Sequence, residues 1–421
     1  MLPPKLGRPT ALKENIFPTS SLDKFRKEIY DSERDNPRYT GRYFLILEKN
    51  SKKIVEAIRL LEKRWELSVA STADFITSSP DESQLKDADT LVFNDLGVAL
   101  VGVEEDKVIQ MELSGSGFVF VPEKVVYIPD EIPTDENDSS RGTWGIHITE
   151  VIRSTYTGAG VKIAVLDTGL DISHPDFEGR EITAASFVPD EAINDLHGHG
   201  THCIGIACGS ATSQGVRYGV ATHAHIYAGK VLNNQGSGAQ SWILNGMTWA
   251  ANKGCKVISM SLGSRVLKGE SYDIAYERAS QFALSKGTLI VAAAGNDSRR
   301  SERYFCPVAS PADCPSILAV AAIDSELQVA DFSNRAINPS GLVDISAPGV
   351  EILSSWPMPE RYHTLSGTSM STPLVAGIAA LLFEKYTDAT PAMIEEELRK
   401  NIHTLPFPAE DVGAGLSMAP K

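Results

Sequence analysis

Residues 366–383 read SGTSMSTPLVAGIAALLF. Small, turn-forming residues give way to an apolar run rich in Ala and Leu, the signature of a loop entering a buried helix. Ser369 stands at that switch and Pro373 follows it. Proline is tolerated in a first helical turn, where its missing N–H costs little. A serine at a helix start lies beside free backbone N–H groups and the positive end of the helix dipole. That setting stabilises an oxyanion, which an acyl-transfer nucleophile requires. It equally suits a plain N-cap, so the rest of the chain has to decide.

Working outward, the region 143–421 carries short apolar runs: VKIAVLD, HIYAGKVL, CKVISMSL, TLIVAAAG and SILAVAAI. Runs apolar throughout indicate strands buried on both faces, as in a parallel sheet. Helical stretches such as AQSWILNGMTWAANKG and SYDIAYERASQFALSKG separate several of them. The alternation predicts an α/β fold with a doubly wound, mainly parallel sheet, whose sites form at the carboxyl ends of the strands.

Residues 41–127 are organised differently. RYFLILEK reads as a strand, and SKKIVEAIRLLEKRW spaces Ile54, Ile58, Leu61 and Trp65 at helical intervals. ELSVA, DTLVFND, GVALVGV and GFVFVP read as further strands, and VEEDKVIQMEL as a helix or a strand. This order suits a small α+β domain with helices on one face of a sheet. Residues 1–40 read as a loosely attached, proline-containing arm with a short helix, and 128–142 as a polar, acidic linker.

The chain has 421 residues and a formal net charge of −15, which excludes a non-specific nucleic-acid binder lacking clustered Lys and Arg. No apolar run reaches the roughly 18 residues that span a bilayer. The N-terminus lacks an apolar h-region, which favours a cytoplasmic protein unless a signal lies outside this sequence, leaving an extracellular one open. Five cysteines at low density do not make a disulfide scaffold. Cys306 and Cys314 flank a Pro-rich loop and could bridge in an oxidising compartment; free thiols fit the missing signal better.

Three motifs carry chemistry. In VKIAVLDTGLDISHPDF, Asp167 ends a strand, where a carboxylate can orient a histidine. An aspartic-protease reading of D-T-G needs a second copy, which is not there. In HGHGTHCIGIACG, His197, His199 and His202 cluster before a small-residue helix; a general base and a metal site both fit. In TLIVAAAGNDS, Asn296 follows a strand and can donate to an oxyanion or merely shape a turn.

Taken together, the order Asp167, His199, Ser369 is one of the chain orders of a Ser-His-Asp triad. The blocks VLDTGLDISHPDF, HGHGTHCIGIACG, KVLNNQGSGAQSWILNGMTWA, ISMSLG, AAAGN, APGVEILSS and GTSMSTPLVAG all resemble those of subtilisin-family (subtilase) serine endopeptidases, in that family's order. The resemblance implies Ser369 as nucleophile, His199 as base and Asp167 as its orienting carboxylate. Asn296 and the Ser369 N–H would form the oxyanion hole. Polypeptide substrate would lie as an extended strand between Gly236, Ser237, Gly238 on one edge and Ser261, Leu262, Gly263 on the other. Ala293, Ala294 and Gly295 would line the first specificity pocket, implying an apolar or aromatic side chain before the cut. Its floor falls in RYFCPVASPADCP, which departs from the simplest members.

No cofactor is implied for the chemistry. By the same resemblance Asp176 matches a ligand of a structural calcium ion, but SATSQGVRYG at 210–219 lacks the expected asparagine, which would weaken that site. The α+β domain would be a ferredoxin-like propeptide that inhibits its own enzyme, with self-cleavage between 127 and 142. Two alternatives remain on this scaffold: a peptide ligase or macrocyclase, and a non-catalytic binding protein.

Overall fold

The computed structural model describes residues 38–47, 51–72, 88–114, 118–130, 132–133 and 142–421. The expected arm helix and most of the linker lie outside these residues.

The N-terminal region runs β1 (Tyr39–Ile46), α1 (Ser51–Trp65), β2 (Val69–Ser71), β3 (Thr90–Phe93), β4 (Val98–Val101), α2 (Glu105–Leu113) and β5 (Val119–Tyr127). The stretch VEEDKVIQMEL, open between helix and strand, is the helix α2, burying Val108 and Met111. Alternation along β1 decides what each face meets. Leu45 packs with Ile54, Leu61 and Met111 under the two helices. Phe44 points the other way and joins Phe93, Leu96, Met247 and Tyr276 of the larger region.

After a two-residue strand β6 (Ile132–Pro133), the main sheet is built from β7 (Lys162–Asp167), β8 (Ile182–Ser186), β9 (His225–Lys230), β11 (Val257–Met260), β12 (Leu289–Ala293), β13 (Leu318–Ile323), β14 (Ile345–Pro348), β17 (Ile402–His403) and β18 (Leu416–Ser417). Its order is β17-β18-β14-β13-β12-β11-β7-β9-β8, parallel except for the β17–β18 pair. Strands β11 to β14 are buried along their whole length, Ser259 and Ser346 included, as mainly apolar runs in a covered parallel sheet should be. The order reverses beside β7, so a crevice opens beyond the carboxyl ends of β7 and β11.

Helices α3 (His199–Cys208), α4 (Gln240–Asn252), α5 (Ile274–Ser285), α6 (Thr368–Lys385) and α7 (Pro391–Lys400) pack on the sheet. From Thr368 to Phe383 every residue of α6 is buried. A helix apolar on all sides belongs in the interior, which is the reading of its sequence. The strands β15 (Ile352–Ser355) and β16 (Tyr362–Ser366) form a hairpin that leads into α6 and carries β6 on its edge. Sequence periodicity missed this hairpin because its strands are short and partly polar.

Strand β10 (Ser237–Ala239) leaves the main body and extends the N-terminal sheet, whose order is β10-β5-β1-β4-β3-β2. The two regions are therefore hydrogen-bonded into one sheet as well as packed together.

Candidate active site

The carboxyl end of β7 delivers Asp167 to the first residue of α3. His199 Nδ1 donates to Asp167 Oδ1 at 2.6 Å, and both side chains are buried. The Thr168 N–H also donates to Asp167 Oδ1, at 2.7 Å. Close approach of α3 depends on small residues: a Cβ on Gly200 would strike the Gly169 carbonyl, and one on Gly205 would strike Ser354 and Ser355.

Two polar groups that sequence reading missed hold this corner. Asp195 accepts from the Gly198 and Thr201 N–H groups, each at 2.8 Å, and from Thr201 Oγ1 at 2.7 Å. It thereby satisfies free donors at the start of α3. A carboxylate four residues before His199 was the available signal. Lys230, opposite Asp167 in the β7–β9 register, is fully buried; its Nζ donates to the Thr168 carbonyl and to Asn234 Oδ1 and pairs with Glu191.

Ser369 is the second residue of α6 and is fully buried, with no hydrogen-bond partner on its hydroxyl. Cys203 Sγ lies 3.9 Å from each ring nitrogen of His199 and 3.6 Å from the Ser369 carbonyl oxygen, so one thiol touches both residues. Burial pushes that thiol up to about 11, so it is a packed neutral group. Asp167, His199 and Cys203 also form the one cluster of metal-capable side chains found among the described residues. A thiol kept protonated by burial is a poor metal ligand, and the His199–Asp167 bond already uses Nδ1. Of the other histidines, His202 Nε2 donates to the His363 carbonyl at 3.0 Å, and burial holds its ring down at about 3.

Asn296 follows β12. Its Oδ1 accepts from the Thr368 N–H at 2.9 Å and from Thr368 Oγ1 at 2.7 Å, which fixes the amide. Its Nδ2 donates to the main-chain carbonyl of Asp130 at 2.7 Å. Beside it, Gly295 N donates to Thr368 Oγ1 at 3.1 Å, and Ala294 accepts from Ala309 N at 2.9 Å while Ala293 ends the buried strand.

The crevice holds a strand of the chain itself. Gly263 exchanges two main-chain bonds with Tyr127, at 3.0 and 2.9 Å. On the opposite edge Ser237, Gly238 and Ala239 pair with Tyr127, Val126 and Val125, and Ile128 N donates to the Gly236 carbonyl at 3.0 Å. Beyond Asp130, Ile132 and Pro133 pair with Ser366 and Leu365. Residues 236–239 on one side and Gly263 on the other thus bracket an extended peptide, while Ser261 and Leu262 make no hydrogen bond to it among the described residues. Leu262 is buried, and Ser261 turns its hydroxyl onto the Ser369 carbonyl. The methyl of Ala309 lies near both Gly263 and Gly295, beside the Ser310 carbonyl and the Asn334 amide, so a Cβ on either glycine would meet it.

Asp176 does not offer a cation a free carboxylate. Oδ2 accepts from Tyr218 Oη at 2.6 Å and Oδ1 from Tyr362 Oη at 3.0 Å. In the 210–219 loop the Ser210, Thr212, Val216 and Arg217 carbonyls accept main-chain hydrogen bonds. A calcium ion needs six to eight oxygens free to turn inward. These residues do not fit it. Cys306 and Cys314 are both free and buried, so the disulfide considered for them is not formed.

Residues 158–415 match Peptidase_S8, the Subtilase family. The chain is 42% identical over 245 residues to Subtilisin E of Bacillus subtilis (strain 168), covering 58% of this chain and 60% of that protein. It is 41% identical over 226 residues to Thermitase of Thermoactinomyces vulgaris, covering 53% and 75%. With Subtilisin-like protease 2 of Pseudogymnoascus destructans it shares 35% identity over 271 residues, 62% of each. The chain thus spans about 60% of the length of the Bacillus subtilis relative. A family match over more than half of the sequence, laid on a parallel α/β sheet with Asp167 and His199 joined at its switch point, decides the assignment: this chain belongs to the subtilase family.

Proposed function

We propose that the protein is a serine endopeptidase made as a self-inhibited precursor. Ser369 Oγ attacks the scissile carbonyl as its proton passes to His199 Nε2. Asp167 keeps the imidazole in the right tautomer and stabilises the imidazolium. The proton then goes to the leaving amine, and water repeats the sequence on the acyl-enzyme. Asn296 Nδ2 and the Ser369 N–H, at the N-terminus of α6, stabilise the oxyanion. The Ser369 hydroxyl swings onto His199 as substrate seats, since such bonds tighten in the reacting complex. No cofactor enters these steps.

The observation that carries this reading is the strand in the crevice. Val125–Ile128 pairs with both edges and Asp130 presents its carbonyl to Asn296 Nδ2 at 2.7 Å, as a bound substrate would. Residues 41–127, read as a small α+β domain, act as the propeptide that delivers this strand. The bond after Asp130 is the one offered to Ser369. Ala293, Ala294 and Gly295 carry no acidic or basic side chain, which favours substrates with an apolar or aromatic residue before the cut and makes the bond after the acidic Asp130 a slow one.

A serine-directed fluorophosphonate tests the chemistry: processed protein should be labelled and Ser369→Ala should not. N-terminal sequencing tests the self-processing. Wild-type protein should acquire a new N-terminus at residue 131, and purified Ser369→Ala should remain whole. Cleavage of purified Ser369→Ala at the same bond would refute self-processing.

A further inference from the structure

Asp176 lies in the short turn Pro175–Phe177 that follows the strand ending in Asp167. Tyr218 closes the loop that leaves the C-terminus of α3, the helix that begins with His199. Tyr362 opens β16, which runs directly into α6 and Ser369. Three segments, each bearing one of the three site residues, therefore meet at a single carboxylate.

The meeting is built in detail. Each tyrosine takes a different oxygen of Asp176, at 2.6 and 3.0 Å. The two phenol rings stand 6.1 Å apart at 66°. Tyr218 is 1% exposed, and its ring lies against Gly209, where a Cβ would collide with it. Tyr362 Oη also accepts from Ser213 N at 3.1 Å, so the 210–219 loop is held at two points. His174 packs edge-on to the Tyr362 ring at 5.7 Å, and its Nε2 donates to the Arg361 carbonyl at 2.8 Å. Burial, then the Asp176 charge, raises the Tyr218 hydroxyl well above its ordinary value, so it stays a donor into alkaline solution. A hydrogen bond to a charged acceptor is also stronger than a neutral one.

We propose that Tyr218 and Tyr362 hold the Asp176 carboxylate in the place of a metal ion and so tie together the segments that carry Asp167, His199 and Ser369. The two tyrosines are positioning residues. The clamp rests on the geometry of these three side chains and not on the proposed proteolysis, so its test reads melting rather than activity.

The experiment compares thermal melts of the full chain in EDTA and in calcium chloride, in the Ser369→Ala background to prevent digestion. Tyr218→Phe and Tyr362→Phe should each lower the melting temperature by ~3–8 °C, equally in both buffers. The calcium-minus-EDTA shift should be the same for the parent and for Asp176→Asn, because any ion bound elsewhere contributes to both. A calcium shift that disappears in Asp176→Asn would overturn the proposal. So would a Tyr362→Phe protein that melts with its parent; this variant removes one oxygen from a half-buried ring and is the least disruptive of the set. Tyrosine-sensitised terbium luminescence gives a second reading: signal lost on Asp176→Asn would show that the carboxylate takes a cation after all, and signal unchanged by it supports the clamp.

Discussion

Ser261 Oγ donates to the main-chain carbonyl of Ser369 at 2.7 Å. The bond exists because of Pro373. In a regular helix the carbonyl of residue 369 receives the N–H of residue 373, and proline has none. The sequence reading placed Pro373 in the first turn, where nothing is lost. The helix instead begins at Thr368, so the proline lies deeper and frees the carbonyl of the central serine. Ser261, on the crevice edge after β11, supplies the missing donor and couples that edge to the helix start.

Replacing Ser261 by alanine should therefore leave a buried carbonyl with only the weak Cys203 thiol as donor. The expected cost is about 1–3 kcal/mol, read as a lower midpoint in urea unfolding of the Ser369→Ala protein. Ser261→Thr, which keeps the hydroxyl, should retain most of the stability. An Ala variant with the parent's midpoint would show the bond to be idle.

Thr368→Val removes one of the two donors that aim the Asn296 amide while keeping the backbone N–H. We expect kcat to fall with KM nearly unchanged, because the role proposed for the amide lies in the transition state. Asn296→Ala should do the same more severely. Loss of such a donor costs about 10²–10³ in kcat, a range measured on a subtilisin rather than derived from this structure. Steady-state kinetics of processed enzyme on a peptide anilide would separate the two parameters. A rise in KM at constant kcat would count against the role.

Glu123 is fully buried where the two regions meet. Its Oε1 accepts from Ser241 N at the start of α4, at 2.9 Å, and its Oε2 from Arg42 Nε at 2.7 Å and Thr40 Oγ1 at 2.6 Å. Glu123→Ala removes the acceptor shared by the Ser241 N–H and Arg42 Nε, while Arg42 Nη2 keeps its bond to Ser241 Oγ at 3.2 Å, at an expected cost of about 1–3 kcal/mol. The loss should appear in uncut Ser369→Ala chain. Guanidinium denaturation monitored by the N-terminal Trp65 should then unfold the first region before the second.

His202 supplies a pH signature. Its ring is held near 3 by burial, against an ordinary value of 6.5. The folded protein keeps it neutral while the unfolded chain takes up a proton, so stability falls as pH drops from about 6.5 toward 3. Denaturant midpoints of Ser369→Ala across pH 7.5 to 4.5 should decline. His202→Asn should flatten the part of the slope centred near pH 6. An unchanged slope would place the acid sensitivity in other groups.

Much of this was legible in the chain itself. Five mainly apolar runs announced five strands of the main sheet, because a strand buried on both faces is dominated by apolar residues and admits polar ones such as Lys230 and Ser259 only where a partner or the crevice receives them. The apolar stretch from 373 to 383 announced a central helix for the same reason. Asp167, His199, Asn296 and Ser369 stood out because each lies at or just beyond the end of a strand or the start of a helix, where side chains reach a shared crevice. Tertiary structure alone decided the rest. Tyr362 meets Asp176 across 186 positions, and Asn296 meets Asp130 across 166. Hydropathy patterns report which face of an element is dry, and they carry no record of which distant polar atom will complete a hydrogen bond. That pairing is set only when strands take their register and the sheet brings remote segments within 3 Å, at the scale where a hydroxyl can replace an ion and a strand can close its own crevice.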